Sequence, residues 1–324
     1  MAFPNVSDII ATTIEKRSKK LADNVTKNNA LLARLKQRNR IQTFSGGRLI
    51  YEEMSFAENG NAGSYSGYDL LPVAPQDVIS AAQFDIKQAA CPVVISGLEM
   101  LQNAGPEQMI DLLTSRVDVA EATMQNLIAE GIYSDGTGAG GKEITGIDAM
   151  IPSTVTASQA DTYGGISRAT WQFWRSKTAN GTYATMLADM NSMWARLVRG
   201  ADRPDLIVMD SLAWGQYVGR LNALQRFGSD GSNGDSGFGF PSVKFMDADV
   251  VLDGGIGGFG AANTAYFLNS KYMKYRPHSA RNFVPLSPNK RYSINQDAEV
   301  QILAWAGNMT CSGAQFLGRL TFTS

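Results

Sequence analysis

Histidine and cysteine are almost missing from this chain: His278, Cys91 and Cys311 are all it has. A lone imidazole excludes metal centres built on histidine clusters, and no Cys/His group has the spacing of a zinc site. Two cysteines so far apart, in a chain without an export signal, read as reduced and structural. An apolar run near the ~20 residues of a membrane helix is also missing. Charged residues follow the N-terminus almost at once, where a secretory signal would place its apolar core. The sequons Asn24-Val-Thr26 and Asn180-Gly-Thr182 therefore read as unused. Charge is nearly balanced, at −1 overall, so any charge-driven contact is local. The expectation is a soluble protein with no membrane partner, made in a cytoplasm, with ample chain at 324 residues for one or two cores.

The most regular stretch present is Gly105–Tyr133, GPEQMIDLLTSRVDVAEATMQNLIAEGIY. Pro106 suits a first helical position, Glu107 and Asp111 favour the positive end of the helix dipole, and Gly131 suits the position just past the end. Met109, Leu112, Leu113, Val117, Ala120, Met124, Leu127 and Ile128 follow the spacing of one apolar stripe. Asp111, Ser115, Asp118, Gln125 and Ala129 fall on the other side. Arg116 is the charged residue within the stripe. It either snorkels to solvent or forms an ion pair across an interface.

Ahead of this helix, Asp8–Arg40 reads as helix with a break around Asn24–Asn29. Ile10, Ile14, Leu21, Val25, Leu31, Leu32 and Leu35 form a seam too narrow to build its own core, so this arm should lie on something else. Lys16, Arg17, Lys19, Lys20, Lys27, Arg34, Lys36, Arg38 and Arg40 crowd the other faces, opposed between Lys16 and Arg40 by Asp23 alone. They read either as a solvated face or as contacts to an anionic surface, nucleic acid or an acidic partner. Without interleaved aromatics, a nucleic-acid contact would be to phosphates. Next, Gly47–Ala57 reads as a strand and Ser80–Ile95 as its partner, joined by the Gly-, Asn- and Ser-rich tip NGNAGSYSGYDLLP. A two-stranded ribbon is marginal alone, so a neighbouring molecule should steady it.

After the helix come a glycine-rich loop (Ser134–Gly146), helical or mixed signals at Trp171–Lys177, and a helix over Tyr183–Arg199. Pro204–Asp210 reads as a buried strand, followed by a helix capped by Ser211. Gln225–Gly239 reads as a flexible loop. Strands are expected at Val243–Phe245, Val250–Leu252, Ala265–Leu268, Tyr272–Tyr275, Glu299–Trp305 and Arg319–Phe322.

Chemical motifs fail one by one. Gly136-x-x-x-x-Gly141-Lys142 has Glu143 where a phosphate loop needs Ser or Thr, and it follows a helix rather than a strand. The GxGxxG sets at Gly136 and Gly255 lack the strand–turn–helix context of a dinucleotide site. Gly234-Asp235-Ser236-Gly237 is similar to a serine-protease nucleophile, yet Phe238 stands where glycine should follow and the lone base is His278. No catalytic residue, metal ligand or cofactor is assigned.

The order of elements resembles that of the major capsid proteins of tailed bacteriophages, with the Hong Kong 97-type (Johnson) fold. The matching parts are the arm Asp8–Arg40, the loop Gly47–Ile95, the helix Gly105–Tyr133 and the turn Ser134-Asp-Gly-Thr-Gly with Gly146-Ile-Asp. They continue with Pro204-Asp-Leu-Ile-Val-Met-Asp and the Trp214 helix, Phe240-Pro-Ser-Val, Ala265-Tyr-Phe-Leu-Asn, and Asp297–Phe322. The resemblance implies an α+β fold: an N-terminal arm (1–46), an extended β-hairpin loop (47–96), a peripheral domain with a long spine helix (97–140), an axial α/β domain (141–276) and returning peripheral strands (277–324). It implies a structural protein, not an enzyme, assembling with itself as hexamers and pentamers into an icosahedral head around double-stranded DNA, which it meets through non-specific phosphate contacts. Its expected location is the virion capsid, assembled in the bacterial host cytoplasm. Because the loop follows a short arm, scaffolding is expected from a separate protein. A portal protein and a decoration protein are further partners in such heads. No crosslinking residues carry over. An encapsulin-type cargo shell and a hydrolase with a converged site are the rival readings.

Overall fold

The computed structural model describes residues 29–102, 112–222, 242–253, 258–286, 291–292 and 297–323. The expectations at Lys16, Arg17, Lys19, Lys20 and Lys27, at 105–111, at 225–239 and at Gly255 lie outside these residues.

Helix α1 (Ala30–Gln37) begins where the sequence places a break. Asn29 caps it, its side-chain oxygen accepting from the Leu32 N–H at 2.8 Å. Ala30, Leu31 and Leu35 are buried in a core shared with Met124 and Ile128. The seam of the arm thus lies on the chain's own long helix, and the Asn29 amide donates to the Ala129 carbonyl at 3.5 Å.

Strands β1 (Leu49–Ser55) and β2 (Ile79–Asp85) pair antiparallel, with Leu49 opposite Asp85 and Ser55 opposite Ile79. The expected single partner strand over Ser80–Ile95 is instead two. β3 (Lys87–Ser96) leaves the hairpin and joins another sheet. The reason lies in the alternation: Ala82 and Phe84 are inward on β2, Val93 and Ile95 on β3, so the inward phase slips by one residue. With a period of two, one unbroken strand cannot bury both sets.

Helices α2 (Gly97–Gln102) and α3 (Leu112–Tyr133) follow. Two expectations for α3 are corrected. It runs on through Gly131, where a Cβ would meet the Ile144 side chain at 3.0 Å, so this glycine permits close packing rather than ending the helix. Leu127 is 49% exposed while Ala129 is buried, because the inward face follows Ala120, Met124, Ile128 and Ile132. At Gly146 the chain folds back so tightly that a Cβ would fall on the Ile132 carbonyl oxygen. The buried Asn308 secures this return: its side-chain oxygen accepts from the Thr145 N–H at 2.9 Å and its amide donates to the Asp85 carbonyl at 2.8 Å.

Next in order are α4 (Val155–Ala160), the small pair β4 (Thr162–Tyr163) and β5 (Ile166–Ser167), β6 (Lys177–Thr182), α5 (Met186–Leu197), β7 (Leu206–Met209) and α6 (Ser211–Asn222). The cap of α6 is Asp210, not Ser211: its carboxylate accepts from the Ala213 N–H at 3.1 Å and its carbonyl from the Trp214 N–H at 2.9 Å. The remaining strands are β8 (Ser242–Phe245), β9 (Ala248–Leu252), β10 (Thr264–Leu268), β11 (Met273–Pro285), β12 (Arg291–Tyr292), β13 (Ala298–Cys311) and β14 (Gly318–Thr323).

Two sheets organise these elements. A six-stranded sheet runs β6-β14-β10-β7-β9-β8. In the other, the long β13 has β3 on one edge and β12 and β11 on the other. The 277–324 segment is therefore divided, since β11 already pairs from Met273 while β14 crosses to the six-stranded sheet. The run Leu206–Met209 is wholly apolar because both faces of its sheet are covered. Leu206 and Val208 enter the core shared with α1, α3 and the hairpin base. Ile207 and Met209 enter a second core with Met190, Met193 and Trp194 of α5 and Tyr217 of α6. Among the described residues no helix is long and apolar enough to cross a membrane.

Candidate interaction surfaces

The hairpin has an anchored base and an open tip. Ile50, Glu52 and Met54 of β1 and Ala82 and Phe84 of β2 are buried. The base of the ribbon, expected to be steadied by a neighbouring molecule, is thus already packed on its own chain. Phe56 closes it, its N–H donating to the Val78 carbonyl at 3.0 Å and its ring meeting Trp171 edge-on at 5.4 Å. Beyond it the described bonds stay within the tip itself, as in the Ser66 N–H to Asp69 carboxylate bond at 2.9 Å and the Asn61 amide to Ala74 carbonyl bond at 2.5 Å. Tyr65, Tyr68, Leu70, Val73 and Ile79 stand out in solvent, Tyr68 and Leu70 completely. A contiguous set of exposed large apolar side chains is the mark of a surface that another molecule covers.

The described arm charges do not form one face. Arg34 is buried and lies 3.9 Å from Asp249, while Arg38 binds the Asp205 carboxylate and reaches Asp249 at 3.3 Å. These two arginines hold α1 against the ends of β7 and β9, so within the chain they face its own carboxylates rather than standing as a solvated face or as contacts to an anionic partner. Lys36 is exposed and Arg40 half-buried. Arg116 is corrected too. Its guanidinium grips Glu99 of α2 in the same chain, at 2.7 and 3.0 Å, and donates to the Val94 carbonyl at 2.7 Å. The Arg116 hydrogen bond, helped by the Ser96 N–H, holds the Glu99 carboxyl down at about 2.

No family model matches the chain, and no curated protein matches it. Solved structures do. One chain of the cyanophage A-1(L) capsid asymmetric unit is 19% identical, with a TM-score of 0.71 over 95% of this chain and 96% of that one. A chain from the capsid of the native GTA particle is 10% identical, covers 100% of both chains and has a TM-score of 0.59. A chain from the capsid of Myoviridae phage XM1 is 13% identical at 0.55, over 97% and 98%. The chain has the fold of a phage capsid subunit.

Those residues of the rejected motifs that the structure describes are engaged by their own chain. The His278 ring packs edge-on against Phe44 at 4.9 Å and its Nδ1 accepts from the Ala280 N–H; Ser236 lies outside the described residues. The loop at Gly136–Lys142 is closed by its own side chains, Ser134 bonding Glu143 at 2.7 Å and Asp135 bonding Thr137. Sequence reasoning missed the buried polar joints. Glu52 binds Lys274 at 2.8 Å, Arg276 at 2.6 Å and Thr310 at 2.9 Å. Asp148 receives Tyr266 and Arg319, each at 2.8 Å. Tyr133 donates to Asp253; burial first, then that carboxylate, pushes the phenol well up, and burial likewise raises Asp253. Glu52 had a signal, an acid at an inward position of an alternating strand.

Proposed function

We propose that this chain is the major capsid protein of a tailed bacteriophage. It is a structural, non-enzymatic subunit that assembles as hexamers and pentamers into an icosahedral shell around double-stranded DNA. The observation that carries this reading is the likeness to a cyanophage capsid chain over 95% of this chain and 96% of that one. The anchored hairpin with its exposed apolar tip supports it, since such a tip fits a neighbouring copy. In this reading α3 is the spine, the β13 sheet is peripheral, the six-stranded sheet is axial, and residues 1–46 are the arm. Lys16, Arg17, Lys19, Lys20, Lys27, Lys36 and Arg40 remain for contacts to DNA phosphates or to an acidic partner. A separate scaffolding protein, a portal protein and a decoration protein complete the head, which is built in the host cytoplasm and ends as the virion capsid.

Electron microscopy of the chain purified from its source, or co-expressed with neighbouring genes, tests this. Closed polyhedral shells containing DNA are expected. Shells filled with protein cargo and free of DNA would make it an encapsulin-type container. Monomers or small oligomers across several salt conditions would overturn assembly and reopen the hydrolase reading.

A further inference from the structure

A cavity of about 160 Å³ opens between α4, the turn at Gln172–Trp174, the start of β6 and α5. That is well above the ~10–15 Å³ that admits a single water. Arg175, Lys177 and Arg196 line it, with Ser176, Gln159 and Gln172, and no carboxylate is among its described lining residues. Arg175 is held in place without being neutralised. The Arg175 Nε donates to the Arg168 carbonyl at 2.6 Å and a terminal nitrogen to the Ala169 carbonyl at 2.7 Å. Neither Lys177 nor Arg196 forms an ion pair with a described carboxylate. Burial is the main cause that pushes the Lys177 ammonium down, with smaller contributions from the nearby Arg196 and Arg175.

A second, independent feature points the same way. Ser176 is 3% exposed and its hydroxyl has no protein partner among the described residues. The hydroxyls of Tyr163 and Thr321 share that state among the described residues, but of the three only Ser176 belongs to the cavity lining. The three cations, the hydroxyl and the Gln159 and Gln172 amides all supply donors, and with no acid beside them the charge of the lining is positive only, which favours an oxyanion over a cation.

We propose that this cavity binds a small tetrahedral oxyanion of the phosphate class, held by Arg175, Lys177 and Arg196 with Ser176 donating from the wall. Free phosphate and a nucleic-acid phosphate share this chemistry. Calorimetric titration of the full-length chain with inorganic phosphate, against chloride at matched ionic strength, tests it. Saturable binding above the chloride control is expected. It should weaken by about tenfold in Lys177→Gln/Arg196→Gln and about fivefold in Ser176→Ala. Arg196 is exposed, so Arg196→Gln alone keeps the fold if the double variant does not, and it should still weaken binding about threefold. Absence of saturable binding, or an affinity unchanged in Arg196→Gln, overturns the site. A short DNA duplex added to the phosphate complex identifies the source: displacement assigns the site to nucleic-acid phosphate, and retention assigns it to the free anion.

Discussion

Glu52 is 4% exposed, yet it sits in β1 among apolar neighbours because three partners from β11 and β13 converge on it. Removing one member of a buried charged set leaves the others uncompensated, at about 3–5 kcal/mol. Glu52→Ala should therefore lower the urea midpoint of the unassembled chain by that order, and a loss below about 1 kcal/mol would show that Lys274 and Arg276 find water instead. Arg116 offers a gentler test, because the pair it forms with Glu99 is over a third exposed on both sides and solvent screens much of it. The Glu99 carboxyl lies at about 2 in the folded chain against an ordinary 4.5. A depressed folded value means that its stabilising contribution is complete above the ordinary value and is lost as pH falls through about 2. In Arg116→Gln an NMR titration should find Glu99 moved back towards the ordinary range. It should stay below it, since the Ser96 N–H still donates to the carboxylate at 3.1 Å. An unshifted Glu99 would mean that the arginine is not what holds it down.

At the scale of elements, what could be read from sequence depended on whether one face or two were buried. α5 was legible because Met190, Trp194 and Leu197 fall on one stripe, and β7 because an unbroken apolar run of four fits a strand covered on both sides. The hairpin was legible from alternation around a Gly- and Asn-rich tip. Its second strand was misread, since a slip of one residue in inward phase leaves composition unchanged while sending β3 to a different sheet. β14 was recognised as a strand, but its place in the six-stranded sheet was not legible. Its alternating Leu320 and Phe322 would suit either, and only the pairing with β10 and β6 decides. The interaction surfaces divide the same way. The tip was readable from local composition, whereas Arg38 meeting Asp205 and Asp249, or Arg196 joining Arg175 and Lys177, depends on segments distant in sequence. Such convergences leave no local periodic signal.

At the scale of the molecule, the hairpin behaves as two parts with different duties. Its base shares the main core through Ile50, Met54 and Phe84, so it should fold whether or not the tip is present. Its tip buries little within the chain and offers apolar surface, worth about 25 cal/mol for each Å² that a neighbour covers. One such contact is weak, but the shell proposed for this chain would repeat it in every subunit. The β1–β2 register places Phe56 opposite Val78, one pair beyond Ser55 and Ile79. Residues 57–77 can therefore be replaced by Asn-Gly, a two-residue turn that suits the twist of antiparallel strands. The shortened chain should keep its circular dichroism spectrum and melt within about 5 °C of the parent. It should form no closed shells under conditions in which the parent does. Shells assembled by the shortened chain would remove the tip from the assembly contact. Loss of the folded state would show that the base depends on the tip, contrary to the burial of its inward residues.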